Sequence, residues 1–489
     1  PLVATITVKG TSIAATTGVD GSFKLSVPAD ARLLVITSVG FVQKEVAVAD
    51  ELNVSLAAGD NSLSEVVVVG YGTKIKRDLI GSVAKVGAKE LGNTPATSFE
   101  NALQGRAAGV QVEQQNGKLG QGIKVRIRGS ASVTAGNEPL YVIDGIPVTT
   151  TNLSSNGAQT SPLADINTND IESIEILKDA SSAAIYGSRG SNGVVLITTK
   201  RGKAGRSKID FGFYTGTQKP THLRKFLDAK QYVDFFTQAA EGAGKYEYRL
   251  GYWDTEQEGI DDYMSYVQSR FTRYSAGNED WKTAKVNTDW QSEAFQKAPI
   301  TQYDLSMTGG NEKTTFYMGG QYLDQVGIAR ANSLKRYNGR LNLDHKVNNW
   351  LSVGTNLSFA RTLNYRVSND NAFSTPLQMV ALSPITPIID PRTGLLSGAS
   401  DPNRTDNPGG PNTNYPVYYN GLLNVQDAYY HTFTNRTIGN IYGQAQITKS
   451  LSFRTELGMD QLNQTEEAYY GPLTERNASY PKGGGFAAA

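Results

Sequence analysis

The chain has 489 residues, and its 47 basic side chains nearly balance 46 acidic ones, so it has no concentrated basic field for a nucleic-acid partner. Cysteine is absent and the three histidines, His222, His345 and His431, stand far apart, which excludes disulfides and thiolate sites and reads the histidines as loop or surface residues. Neither a metal nor a cofactor is expected. Abundant glycine (50) and tyrosine (25) beside 39 % hydrophobic residues suit β-structure with tight turns better than a helical bundle.

Without a run near the ~18 apolar residues of a spanning helix, a membrane location would require a closed barrel. The longest β-branched run is only Val66–Val69. Pro1 begins the chain with no signal peptide before it, so the polypeptide reads as processed or cut.

Residues 1–58 read as a small antiparallel domain. Alternation appears in Ile6–Lys9, Ser22–Val27, Leu33–Ile36, Glu45–Val48 and Leu52–Leu56, with a turn at Asp20-Gly21. Residues 59–79 read as a linker holding one adhesive strand, Glu65 with Val66, Val67, Val68 and Val69. Residues 80–204 have a mixed α/β texture. Phe99–Gln104 suits a short helix, and Ile123–Gly129, Leu140–Gly145, Ile171–Leu177 and Val194–Thr199 suit strands. Ala180–Gly187 suits one or two helical turns stopped by glycine.

From residue 205 to 489 the pattern changes to long alternating strands. Seven are legible: Ile209–Thr215, Tyr303–Thr308, Thr314–Leu323, Tyr337–Asp344, Leu351–Arg361, Phe433–Thr448 and Leu451–Asp460. Several approach the roughly 10 residues of a transmembrane β-strand. Asp304, Arg340, Asp344, Arg454, Glu456 and Asp460 all fall on the polar face. Charges facing a wet lumen cost little, whereas a lipid-facing cation costs about 2–4 kcal/mol at mid-depth. Short links such as 309–313 and 347–350 alternate with long ones at 218–300 and 363–431. The first long link is expected to hold a helix capped by Asp228, with Tyr232, Phe235, Phe236 and Ala239 on one face. The second, rich in Pro, Asn and Gly, is expected to be irregular.

Specific strings then carry a resemblance. Gly18–Phe23 with Ser38–Phe41 resembles the carboxypeptidase-regulatory-like β-sandwich. Ser64–Gly72 resembles the TonB-box region of SusC/RagA-type TonB-dependent outer-membrane transporters. Arg126–Gly129, Leu140–Pro147 and Ile171–Ala180 resemble successive motifs of that family's plug domain, and Ser181–Val194 is the most specific string. The motif residues singled out are Arg126, Arg128, Gly129, Asp144, Gly145, Glu175, Lys178, Asp179, Tyr186, Gly187, Arg189, Gly190, Asn192 and Gly193. Residues 309–314 and 322–325 resemble the first barrel hairpin.

The fold this implies is mainly β: a truncated sandwich, an α/β plug, then the first strands of a large antiparallel transmembrane barrel of about 22 strands when complete. Seven strands cannot close, and the tail at 483–489 is not a closing membrane strand, so truncation is expected. The resemblance implies TonB-dependent import of a glycan or oligopeptide across the outer membrane of a Bacteroidota-like Gram-negative bacterium, with residues 1–79 periplasmic. It further implies a SusD-like lipoprotein lid and pairing of two transporter–lid units. Glu65–Val69 would be the strand that TonB captures, or else an edge strand of the preceding domain. The charged plug residues would pair with the barrel lining, or else be solvated. Polar loops carrying Ser130, Asn137, Thr149, Asn152 and Asn156 would face the cargo. Tyr252, Trp253, Tyr263 and Tyr266 could stack on sugars or pack within their loop. A siderophore receptor, and outside this class a non-transporting glycan-binding surface protein, are the alternatives. No catalytic constellation is present.

Overall fold

The computed structural model describes residues 4–56 (other than 12, 19, 29–30, 39–40 and 42), 66–69, 72–75, 83–92, 98–114, 117–130, 132, 136–154, 159–367, 379–401, 403–405, 407–414, 420–474 and 486–488. Two compact units divide after Ile80.

In the first unit, β1 (Thr5–Val8), β2 (Ala14–Thr16), β3 (Leu33–Thr37) and β4 (Lys44–Ala47) form an antiparallel sheet in the order β2-β1-β3-β4. Ile6, Val8, Leu34 and Ile36 point to one side and are buried there. Two expected strands, Ser22–Val27 and Leu52–Leu56, take no place in a ladder. Their alternation is nevertheless physical, since Phe23, Leu25, Val27, Leu52, Val54 and Leu56 all pack on that core. Alternation reports which side chains face inward, not where backbone groups bond. The Asp20 carboxylate accepts the Ser22 N–H at 3.0 Å and its hydroxyl at 2.8 Å, fixing the expected turn. Strand β2 carries only small residues and leaves no such sequence signal. Further along, β5 (Val66–Val69) pairs antiparallel with β6 (Gly72–Ile75).

The second unit opens with a mixed sheet in the order β11-β10-β13-β12-β7. Its strands are β7 (Val83–Gly87), β10 (Leu140–Ile143), β11 (Ile146–Pro147), β12 (Ile171–Leu177) and β13 (Val194–Thr199). β8 (Val110–Gln114) and β9 (Ile123–Ile127) pair separately, and a helix spans Phe99–Leu103. Phe99, Leu103, Val125, Ile127, Ile174, Ile176, Val195 and Ile197 close one core.

A wall of long antiparallel neighbours follows: β14 (Gly205–Gln218), β15 (Ala298–Gly310), β16 (Thr314–Val326), β17 (Ser333–Lys346), β18 (Leu351–Arg366), β19 (Ala428–Gln446) and β20 (Ser452–Tyr470), with short β21 (Phe486–Ala488) after them. These are the seven expected strands, each longer than the sequence alternation. Asparagine closes two of the short turns. Asn311 accepts from the Lys313 and Thr314 N–H groups, and Asn348 from those of Trp350 and Leu351.

The two faces of the wall are inverted relative to a water-soluble sheet. Phe211, Phe213, Leu305, Met318, Leu357, Phe359, Ile441, Phe453 and Met459 are exposed, and Leu457 is 79 % exposed. Arg336, Arg340, Asn342, Asn356, Thr362, Arg436 and Asn440 are buried on the other face. Phe213, Tyr303, Tyr322 and Tyr337 sit in register across four strands with ring centroids 5.0–6.3 Å apart.

Between β14 and β15 stand two long helices, Ala229–Arg249 and Glu256–Tyr274, and a short one, Trp290–Ala294. Asp228 caps the first as expected, in a reciprocal box with Gln231. Tyr232 packs on Phe271, whereas Phe235 is exposed, so the expected face is only partly used. The second helix was not expected, although Ile260, Met264, Val267, Phe271 and Tyr274 recur at helical spacing and a Thr255–Glu258 capping box opens it. The long helices meet at Gly244 and Gly259, where a Cβ on Gly244 would lie 2.5 Å from backbone atoms of Gly259 and Ile260. Gly244→Ala should therefore cost about 1–3 kcal/mol by overpacking. Limited proteolysis of the intact protein should show faster cleavage within 219–297; an unaltered pattern would refute the close crossing.

Candidate functional site

Asp144 and Gly145 form a two-residue turn joining β10 to β11, with φ of 47° and 91°. Both central residues are left-handed, the primed hairpin geometry that Asp-Gly favours. The turn delivers the Asp144 carboxylate to three donors: the Thr199 N–H at 3.0 Å, the Thr199 hydroxyl at 2.7 Å and Arg340 of the wall at 3.3 Å. Asn440 donates to the Asp144 carbonyl at 3.0 Å. One turn thus ties the plug sheet to β17 and β19.

Three more guanidiniums extend the seam. Arg436 binds Asp460 through two nitrogens at 2.8 and 2.9 Å and donates to the plug carbonyls of Pro162 (2.6 Å) and Thr149 (3.0 Å). Arg336 donates to the Ala164 carbonyl and, at 2.9 Å, to Gln321. Arg366 bridges plug Ser154 at 3.0 Å and wall Glu466 at 3.1 Å. Plug carboxylates answer in the other direction, Asp165 accepting from Thr362 at 2.5 Å and Asp170 from Tyr317 at 2.7 Å. Burial raises both carboxyl pKa values, opposed by the Thr362 hydroxyl at Asp165 and by Arg340 at Asp170. Beyond these, Arg201 pairs with Asp344 at 3.2 Å, and Asn342 reaches Thr199 and the Lys200 carbonyl. Among the described residues, Asp165 Oδ2, Asn338 Oδ1, Asn342 Oδ1 and Arg340 Nε have no hydrogen-bond partner.

Glycines set how closely the two surfaces approach. A Cβ on wall Gly458 would lie 1.8 Å from Ile146 Cδ1, and one on Gly319 would lie 2.6 Å from Asp170.

The expected motif residues divide. Asp144 and Gly145 stand at the seam. Of the six charged residues expected either to meet the wall or to be solvated, Arg126, Arg128, Glu175, Lys178 and Asp179 have partners inside the plug and Arg189 is exposed. Arg126 lies 4.0 Å from Glu113 across the β8–β9 pair, and Arg128 pairs with Asp179. Glu175 accepts from Ser173 at 2.8 Å with Lys85 at 4.0 Å, and Lys178 donates to the Ala108 carbonyl at 2.6 Å. Cross-strand and turn neighbours are simply nearer than the wall. Arg189 is exposed and Tyr186 half-buried. Asn192 donates to the Gly136 and Glu138 carbonyls. Gly129, Gly187 and Gly193 have positive φ, and a Cβ on Gly190 would meet the Ala183 carbonyl at 2.7 Å. The string at 181–194 is therefore a turn returning the chain to β13.

Of the loop residues, Ser130 is exposed and Asn137 closes its own loop on Ser132 at 2.8 and 2.9 Å. The Thr149 N–H donates to Asp460 at 2.8 Å, which places it in the seam. Asn152 accepts from the Ser154 and Thr160 N–H groups. Glu65 and Asn156 lie outside the described residues, while Val66, Val67, Val68 and Val69 form β5. Trp253 and Tyr263 converge on Glu247 at 3.1 and 2.6 Å, and so pack within their own loop. Arg336, Arg436, Asp165 and Asp170 were not anticipated. Arg436 shares the parity of Ile438 and Asn440, a signal available in the sequence.

Comparison with known proteins agrees with this geometry. Residues 75–194 match the TonB-dependent Receptor Plug Domain and residues 2–68 the CarboxypepD_reg-like domain. A TonB-dependent receptor of Formosa agariphila is 38 % identical over 378 residues, 76 % of this chain and 34 % of that one. The TonB-dependent receptor SusC of Bacteroides thetaiotaomicron is 33 % identical over 340 residues, 70 % of this chain and 30 % of that one. The structure of the RagAB peptide importer in its open-open state superposes with a TM-score of 0.63 at 28 % identity, covering 83 % of this chain and 43 % of that one. Sheet, seam and inverted wall define part of a plugged β-barrel. Within that class, the chain is similar to TonB-dependent receptors of the SusC/RagA type. It spans about a third of the length of the curated relatives it matches.

Removing one partner of a buried pair leaves an uncompensated charge, a loss of about 3–5 kcal/mol. Arg436→Ala in the intact receptor should therefore loosen plug docking and speed hydrogen exchange at the Thr149 amide. Adding Asp460→Ala should cost less than the sum of the two single changes. Additive effects would show that the pair does not act as drawn.

Proposed function

We propose that this chain is part of an outer-membrane importer, not an enzyme, that takes up a glycan or oligopeptide nutrient under the pull of TonB. The carrying observation is the combination of an exposed apolar wall face with a buried, hydrogen-bonded polar seam. An outward row of Leu, Ile, Phe and Met is favourable against lipid and costly against water. A seam of charge-assisted and amide bonds, unlike an apolar core, can exchange partners with water at modest net cost as a plug shifts. Under this reading residues 1–58 form the regulatory-like sandwich, 59–79 the linker, 80–204 the plug and 205–489 the barrel segment, with 1–79 in the periplasm of a Gram-negative, Bacteroidota-like bacterium. A SusD-like lipoprotein acts as lid, and two transporter–lid units pair. The regulatory-like domain and the RagAB likeness favour this branch over a siderophore receptor.

Glu65–Val69 is the segment TonB takes. Among the described residues β5 pairs only with β6, so a partner strand can add to its other edge through main-chain hydrogen bonds. Val67→Pro removes a backbone N–H and breaks the strand that a partner would have to extend. Uptake should fall to background while the amount of receptor in the outer membrane stays constant; undiminished uptake would defeat the assignment. The wall assignment has its own check. Leu357→Arg places a cation on the exposed face and should cost about 2–4 kcal/mol at mid-depth, read as reduced outer-membrane assembly. Normal assembly of that variant would place β18 away from lipid.

A further inference from the structure

The long connections 219–297 and 367–427 leave the wall at the end opposite the turns 311–313, 347–350 and 447–451, and described residues of both border an open cavity of about 920 Å³. Its wall comes from both. Arg273 and Gly277 belong to the end of the helix Glu256–Tyr274 and the turn after it, while Arg392, Thr393, Arg404, Thr405 and Asn414 belong to the second connection. The two are in direct contact, for a Cβ on Gly277, itself at φ 75°, would lie 2.8 Å from an Arg392 guanidinium nitrogen.

This region is built, although it is neither helix nor sheet. Fully buried Asp390 holds Arg392 through two guanidinium nitrogens at 3.1 and 2.7 Å, and takes the Thr413 hydroxyl at 2.6 Å. Asn412 uses its amide fully, accepting from the Gly398 N–H at 2.7 Å and donating to Thr393 and the Leu396 carbonyl. Arg404 is steadied by the Pro411 carbonyl at 2.5 Å. The Asp401 carbonyl accepts from the Gly409 N–H at 2.9 Å, and its carboxylate from that of Asn403 at 2.9 Å.

Arg273, Arg392 and Arg404 line the space; Arg392 is paired with Asp390 behind it, and among the described lining residues Asp401 is the one carboxylate, which leaves the cations in excess. Guanidinium forks match the planar oxygens of carboxylates and the oxygens of sulfate esters. Asparagine, threonine and aspartate supply hydroxyl-pairing groups, and among the described lining residues there are two leucines and no aromatic ring. That composition suits a hydroxyl-rich ligand better than peptide side chains. The volume lies in the range of small-ligand sites.

We infer that this cavity binds an acidic oligosaccharide through its carboxylate or sulfate groups. That the bound sugar is cargo rests on the import reading; binding itself does not. Calorimetry on the intact receptor in detergent, at low salt, would compare trigalacturonate, a sulfated oligosaccharide of similar length, a neutral glucose trimer and a glutamate-rich tetrapeptide. Binding of either acidic sugar at least tenfold tighter than the neutral one, weakening as salt rises, is the expected result. Which of the two binds identifies the anion. Arg273→Gln and Arg404→Gln should each lower that affinity about tenfold without changing the melting temperature. Equal binding of neutral sugar, preference for the peptide, unaltered affinity in both variants, or no acidic sugar bound at millimolar concentration would each overturn the inference. If the intact receptor bound an acidic sugar while cells carrying it took none up, the import reading would fail and this site would stand.

Discussion

Everything in the second unit follows from one inversion: the wall buries its polar face and exposes its apolar one. Burying Arg336, Arg340, Arg366 and Arg436 is tolerable only where each guanidinium meets an oxygen, because an unpaired buried cation costs several kcal/mol. The plug supplies those oxygens, largely as backbone carbonyls at Thr149, Pro162 and Ala164 and as the Asp144 carboxylate. Carbonyls are free for such bonds where the plug runs outside its sheet, so the loop and 3-10 segments at 149–154 and 159–170 are a requirement of the seam. A plug of regular sheet alone would present side chains there.

How much of this was legible depended on whether a signal is local. The seven wall strands stand out because inside and outside residues alternate over ten or more positions. Val194–Thr199 and Ile171–Leu177 match their observed bounds, since strands covered on both faces read as nearly continuous apolar runs. Ser22–Val27 and Leu52–Leu56 show the limit. Their side chains alternate as a strand's do, yet hydrogen-bond pairing depends on neighbours distant in sequence. The helix Glu256–Tyr274 was missed although its signal is local, a stripe of Ile260, Met264, Val267, Phe271 and Tyr274 behind a capping box, because it lies inside a long and mostly polar connection.

The site was less legible than the fold. Asp144 and Gly145 could be singled out because an Asp-Gly turn between apolar strands is a local signature. Arg126, Arg128, Lys178 and Asp179 looked equally suited to a charged lining, but sequence shows that a residue is charged, not which oxygen is nearest. Each of these found a partner on an adjacent strand or turn. Conversely Thr149, read as a loop residue facing cargo, is bonded by both its N–H and its carbonyl to the Arg436–Asp460 pair.

Shape and charge then divide the work of holding the plug in register. Buried ion pairs are weak contributors to net stability, because desolvation offsets much of their attraction, but a misplaced partner leaves two charges stranded. Arg436 bonded to Asp460 while donating to Pro162 and Thr149 fits a single placement of these elements. The wall glycines make the same choice by volume. Gly458 admits Ile146 and Gly319 admits Asp170, so a plug shifted along a strand would set side chains against side chains. A seam specified this way is selective in position without being strongly adhesive. That is the combination a domain needs if it must seat uniquely at rest and yet be displaced by a pull on the segment before it.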